Sequence, residues 1–287
     1  MISIVGIGNA GSAIAEKFKS QKNNYKVYQL NSKCGKSKSC HKLKDFDTPE
    51  EYENSIPNLK TFFKDITDKV QVFVVGSSKS SGYALGILEQ IKDKNLEIFY
   101  IKPDTELLTG IPKLLENMTY GILQEYARSA MFTSLTVFSN YEIEKNLPNI
   151  SIKNYFDTLN QTIFSSVHYL NFFTHTEPEI GQVSRPAPIN RIRSVGMLNL
   201  KDMSEKWLFN LDSPRETCYY ICINQDRLEK ESGLHKQLVD MLKEKPRNAY
   251  RKISYGIWET NLQDFGFCVA HTNAIQQQTT LDKLEQG

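Results

Sequence analysis

Two stretches of this chain share one design: an apolar β-prone run stops at a glycine, small residues turn the chain, and an apolar-periodic helix begins. The first is Ile2-Ser-Ile-Val-Gly-Ile-Gly-Asn-Ala-Gly-Ser-Ala13, the second Val72-Phe-Val-Val-Gly-Ser-Ser-Lys-Ser-Ser-Gly-Tyr-Ala84. Each turn presents free backbone N–H groups and a positive helix end, a combination that suits an anion. Gly6, Gly8 and Gly11 also fit G-x-G-x-x-G, in which glycine lets the backbone approach a diphosphate. Taken singly, either turn is equally an ordinary strand-to-helix connection. Two of them, followed by further alternating segments, confine the chain to the α/β class.

The order of segments carries that reading on. Tyr25 to Leu30 reads as the second strand, and it ends in Asn31-Ser32-Lys33 where an NAD site wants an acidic residue. A small polar residue followed by lysine suits NADP, so the fingerprint leaves dinucleotide and mononucleotide open. The run from Lys33 to Lys44 holds five lysines with Cys34, Cys40 and His41. It reads as a solvated basic loop, because a metal site needs a further well-spaced ligand pair. Thr48 and Pro49 are placed as cap and first position of a helix expected to run to about Ile66. Leu96 to Lys102 is a buried strand ended by Pro103, Ile111 to Ser129 a helix, and Ser134 to Asn140 another strand. Such alternation predicts a parallel sheet covered by helices, with ligands at the carboxyl ends of its strands, where both glycine turns fall. From Ser151 to about His175 the spacing of Phe156, Leu159, Ile163, Val167 and Leu170 predicts one long helix with Phe156 and Asn160 on one face.

At this point the chain resembles the tubulin/FtsZ superfamily, in its FtsZ-like branch, over nearly its whole length. Gly8-Asn9-Ala10-Gly11-Ser12 resembles the first phosphate loop of that family, and Leu30-Asn31-Ser32 the I-N-T that ends its second strand. Gly76-Ser77-Ser78-Lys79-Ser80-Ser81-Gly82 falls where the family has its signature G-G-G-T-G-[ST]-G. Lys102-Pro103 resembles its K-P, Val137-Phe-Ser-Asn140 its I-P-N, and Phe156 with Asn160 the pair that stacks on and reads guanine. The resemblance implies an N-terminal parallel-sheet nucleotide-binding domain (1–150), a central helix (151–176), a smaller C-terminal α+β domain with a mixed sheet (177–274) and a polar tail (275–287). It implies GTP or GDP as the bound nucleotide, with Mg allowed beside it, and a head-to-tail homopolymer in the cytoplasm.

The departures from the family pattern bear on chemistry. Ser77 and Ser78 replace two signature glycines, and Lys79 replaces the threonine. Lysine there offers a point charge to a terminal phosphate, while the bulkier side chains narrow the cradle. The loop between Lys44 and Thr61 has no glycine. Family members complete catalysis with an N-x-D-x-x-D loop that enters the neighbour's pocket. Here the stretch after His175 has no aspartate, and Glu177 and Glu179 are the candidate catalytic acids. Arg185, Arg191 and Arg193 read as interface or phosphate residues. Three functions stay open: a filament-forming GTP binder with weak or atypical hydrolysis, a degenerate non-hydrolysing scaffold, and an NADP-dependent reductase.

The rest of the chain adds constraints. Cys218-Tyr-Tyr-Ile-Cys-Ile-Asn is a strand with core cysteines, Leu228 to Leu242 a helix, and Lys252–Glu259 and Phe265–Ala270 strands expected to pair antiparallel. Five cysteines without a Cys-x-x-Cys predict reduced thiols. A net charge of +2 creates no field that demands nucleic acid. No basic leader precedes the first strand, and no apolar run approaches the roughly 18 residues of a membrane span, so neither export nor a membrane partner is expected.

Overall fold

The computed structural model describes residues 1–21, 24–35, 37–147, 149–245 and 252–277; Lys36 of the basic run and the end of the polar tail lie outside them. In chain order the first half comprises β1 (Ile2–Ile7), α1 (Gly8–Lys17), β2 (Tyr25–Asn31), β3 (Cys40–Lys42), α2 (Pro49–Asn54), β4 (Lys69–Val75), α3 (Ala84–Glu89), β5 (Asn95–Lys102), α4 (Ile111–Arg128), β6 (Ser134–Ser139), α5 (Asn140–Asn146) and α6 (Tyr155–Thr174). The second half adds β7 (Ile180–Gln182), β8 (Ile192–Leu198), β9 (Glu205–Trp207), β10 (Glu216–Asn224), α7 (Gln225–Lys230), α8 (Leu234–Lys243), β11 (Lys252–Thr260) and β12 (Phe265–Thr272).

β1 and β6 are buried along their whole length, the mark of parallel strands covered on both faces. The first six strands lie in the order β3-β2-β1-β4-β5-β6, all parallel. Period-two alternation divides their side chains between two cores. Phe73 and Phe99 face α1 and α6, packing with Ile14, Phe18, Leu159 and Ile163. Val72, Val74, Ile98 and Tyr100 face α3 and α4, packing with Ile87, Leu88, Tyr120 and Leu123.

The sheet continues without a break. β8 pairs parallel with the start of β6, and the order runs on β8-β12-β10-β11-β7, with β9 beside β8. α6 ties the halves together. Phe164, in its first half, meets Phe18 edge-on at 4.8 Å. Near its end Phe173 stacks on Tyr220 at 5.0 Å and meets Trp258 at 4.8 Å. A third core forms where Leu234, Leu238 and Leu242, one stripe of α8, cover Tyr219, Ile221 and Ile257. Among the described residues no helix is long and apolar enough to cross a membrane.

The structure corrects four sequence expectations. α2 stops at Asn54 rather than near Ile66, because Pro57 disfavours helical backbone at Ile56. The helix expected over Leu228–Leu242 is two helices, separated at Gly233, whose φ is 84°. β11 and β12 do not pair with each other. The α7–α8 crossover returns β11 parallel to β10, so β12 takes the other, antiparallel edge of β10. Cys34 and Cys40 are not thiols: pairing of β3 with the end of β2 folds the chain back, brings their Cα atoms to 5.6 Å, and a disulfide joins them. Cys218, Cys222 and Cys268 are free and buried. Arg191 and Arg193 are half-buried, donating to the Phe132 carbonyl and the Thr136 hydroxyl, and Arg185 is exposed.

Candidate functional site

α1 follows β1 without a spacer. Its N-cap, Ile7, is extended and offers no side-chain acceptor, so the N–H groups of the first turn stay open to a ligand. Gly8 sits at φ 76°, and a Cβ there would lie 2.1 Å from Ser80 Oγ. A Cβ at Gly11 would lie 2.7 Å from the Phe73 carbonyl oxygen, so glycine permits α1 to press against β4. Asn9 and Ala10 are exposed at the helix start, while Ser12 is buried and donates to the Gly6 carbonyl at 3.2 Å. Ser12 therefore holds the turn together rather than facing the cavity.

The second turn lies directly above the first. Gly76 donates to the Ile101 carbonyl at 2.9 Å and packs against the Tyr100 hydroxyl and Pro103. Ser77 takes φ 57°, a left-handed conformation uncommon for a residue with a side chain. Ser78 and Ser80 place their hydroxyls 2.7 Å apart over Gly8. Ser81 donates to the Ser78 carbonyl, closing the 3-10 turn Lys79–Tyr83, and Gly82 packs on Tyr52. The Lys79 ammonium lies 3.5 Å from the Asp47 carboxylate, both exposed. Gly8, Asn9 and Ala10 from one turn and Ser78, Lys79 and Ser80 from the other line a single cavity of about 400 Å³, walled by Ser32, Leu43 and Asp45.

The remaining sequence-derived residues lie apart from this cavity. Pro103 and Lys102 line a separate cavity of about 260 Å³ with Ser139 and Tyr141, which flank Asn140 at the start of α5. Lys102 is anchored inward: its ammonium bonds Glu116 at 3.0 Å and lies 4.4 Å from the Tyr120 ring centre. Glu116 is fully buried, and among the described residues its second oxygen has no hydrogen-bond partner. Burial, with Glu116 beside it, pushes the Tyr100 hydroxyl well above its ordinary pKa, so it stays protonated and donates to that carboxylate. Phe156 is 71% exposed and Asn160 half-buried, one turn apart on α6. A Lys17–Asp157 pair at 2.7 Å joins the end of α1 to this segment. Glu177 and Glu179 are exposed, and the Glu179 N–H bonds the Ile257 carbonyl, leading into β7.

Sequence reasoning missed Asp45, Leu43 and the Asp47 partner of Lys79. Leu43 lies inside the basic run and the two aspartates just past it, and nothing in their spacing points to the cavity. Among the described residues no group of three His, Cys, Asp or Glu side chains is gathered for a metal ion.

These features, a six-stranded parallel sheet with two turns over one cavity, a long helix and a mixed second sheet, define the tubulin/FtsZ fold, and the chain has that fold. Its structure is similar to CetZ from Methanosaeta thermophila, with a TM-score of 0.68 at 11% identity over 99% of this chain and 89% of that one. It is equally similar to TubZ of Bacillus thuringiensis serovar israelensis in a GTPγS-form protofilament, with a TM-score of 0.68 at 12% identity over 99% and 89%. An FtsZ dimer from M. jannaschii gives 0.61 at 14% identity over 94% and 87%. No sequence-family model and no curated protein sequence matches the chain.

Proposed function

We propose that this chain binds a guanine nucleotide between its two glycine turns and assembles head to tail into filaments, with weak or atypical hydrolysis. The observation that carries this reading is the shared cavity, where the uncapped start of α1 meets the Ser78–Ser80 turn at the carboxyl ends of β1 and β4. The open N–H groups at the start of α1 would hold phosphate oxygens, and Lys79 would exchange Asp47 for a phosphate. Phe156 and Asn160 would take the base, with Pro103 and Asn140 bordering the sugar. The exposed ring of Phe156 is consistent with a stacking partner that arrives with the ligand. Asp45 supplies the cavity with one carboxylate, which fits Mg²⁺, an ion that takes one or two carboxylates beside phosphate oxygens. Glu177 and Glu179 would reach a neighbour's nucleotide as exposed carboxylates after α6. Assembly of a heterologous contact that does not close gives a filament, and we place it in the cytoplasm, where reducing pools would act on the Cys34–Cys40 bond.

A second reading, a non-hydrolysing scaffold, draws on Ser78 and Ser80: their hydroxyls occupy the space above Gly8 that a phosphate would need. The reductase reading is weaker, because the Asn31 side chain that would meet a ribose accepts from the Lys33 N–H and is buried in its own turn. Calorimetric titration with GTP and GDP separates these. Micromolar binding that falls at least about tenfold in Asn160→Ala (about 1.4 kcal/mol) supports the first reading, and no binding to wild type supports the scaffold.

A further inference from the structure

Across the Leu43 wall from the cavity between the glycine turns lies a larger one, about 500 Å³, that the proposed nucleotide does not use. It is lined by Phe46, Ile56 and Pro57 with the polar His41, Lys42, Lys44 and Ser55, while Leu43 and Tyr83, both nearly fully buried, back it from below. Lys42 and Lys44 are two apart on an extended segment whose Leu43 N–H continues the ladder to the Asn31 carbonyl, so both side chains leave on the same side. Both are exposed, and among the described residues neither ammonium has an ion-pair partner.

The wall is built in advance. The Tyr52 hydroxyl accepts from the Phe46 N–H at 2.9 Å and donates to the Phe46 carbonyl at 3.1 Å. The Tyr83 hydroxyl donates to the Lys44 carbonyl at 3.1 Å. Tyr52 meets Phe46 edge-on at 5.3 Å and Tyr83 at 4.9 Å. A cavity of ligand size bordered by a held Phe46 and by charged side chains has the makings of a small-molecule site, and a wall held in advance lowers the ordering cost of binding.

We propose that this cavity is a second ligand site, taking a small aromatic anion whose ring lies against Phe46, Ile56 and Pro57 and whose charged group meets Lys42 and Lys44. The site is linked to the first cavity in two ways. Leu43 lines both, and Tyr83 ends the turn that carries Lys79 and Ser80.

The test is a fluorescence titration with 8-anilinonaphthalene-1-sulfonate on the full chain without nucleotide. The expected result is one saturable site, weakened about tenfold or more in Lys42→Ala/Lys44→Ala and abolished in Ile56→Glu, with circular dichroism showing each variant folded. Lys42 and Lys44 are exposed, so their loss leaves the core intact. Lys79→Ala keeps the titration. Absence of a saturable site in wild type, unchanged affinity in the double lysine variant, or loss of binding in Lys79→Ala overturns the proposal. None of these outcomes depends on whether the chain binds GTP.

Discussion

Replacing Gly8 by alanine tests whether the two turns meet as described. Two costs can be worked from the geometry. At φ 76° a residue with a Cβ pays about 1–2 kcal/mol for the left-handed backbone. The new methyl would also lie 2.1 Å from Ser80 Oγ. Ordinary carbon contacts are about 3.5 Å or more, so the Ser78–Ser80 turn must lift off α1 by roughly an ångström. Overpacking of that kind costs about 1–3 kcal/mol, giving a total of about 2–5 kcal/mol. Urea unfolding measures the loss, and GTP titration reads the accompanying fall in affinity, expected at about tenfold or more. Ser80→Ala removes the oxygen and leaves its Cβ 3.3 Å from the new methyl. Gly8→Ala/Ser80→Ala should therefore regain the overpacking share and keep the backbone share. Equal stability of Gly8→Ala and wild type, or no recovery in the double variant, would refute the placement of the second turn on the first.

Other outcomes follow from the buried charges and the disulfide. Lys102→Met strands the fully buried Glu116 carboxylate and should cost about 3–5 kcal/mol, while Lys102→Met/Glu116→Leu should recover most of it in urea unfolding. Burial, helped by the Arg193 charge, pushes the His271 imidazole from its ordinary 6.5 down to about 3. His271 is neutral in the folded chain and takes a proton in the unfolded one, so its contribution is complete above pH 6.5 and is lost as pH falls toward 3. Between pH 6 and 4, stability of the wild type should drop more steeply than that of His271→Gln by up to about 1.4 kcal/mol per pH unit. Denatured, unreduced protein should titrate three thiols and reduced protein five. Cys34→Ser, opening a bridge across a separation of six residues, should cost up to about 2 kcal/mol.

The parts of the fold that were legible share one property: their signal is local. β1 and β4 are mostly apolar runs because both faces are covered, and the glycines of the first turn are needed for contacts within one strand–turn–helix unit. α6 was legible from its own spacing. Contacts between distant segments were not. Which edge of β10 receives β11 and which receives β12 depends on a crossover, and neither strand's composition records it. The Cys34–Cys40 bond depends on β3 pairing with β2, three residues whose sequence reads as loop. The inward turn of Ser12 and of Lys102 could not be read either, because the same residue types at the same positions suit a ligand equally well.

The most direct test of the filament account is sedimentation of the purified chain with GTP, with GDP and without nucleotide, alongside Asn160→Ala. The account predicts pelleting with GTP that is absent without nucleotide and lost in Asn160→Ala, with filaments visible by negative-stain microscopy. A wild-type chain that stays in the supernatant under all three conditions and binds no GTP would contradict it, and the fold would then serve a scaffold.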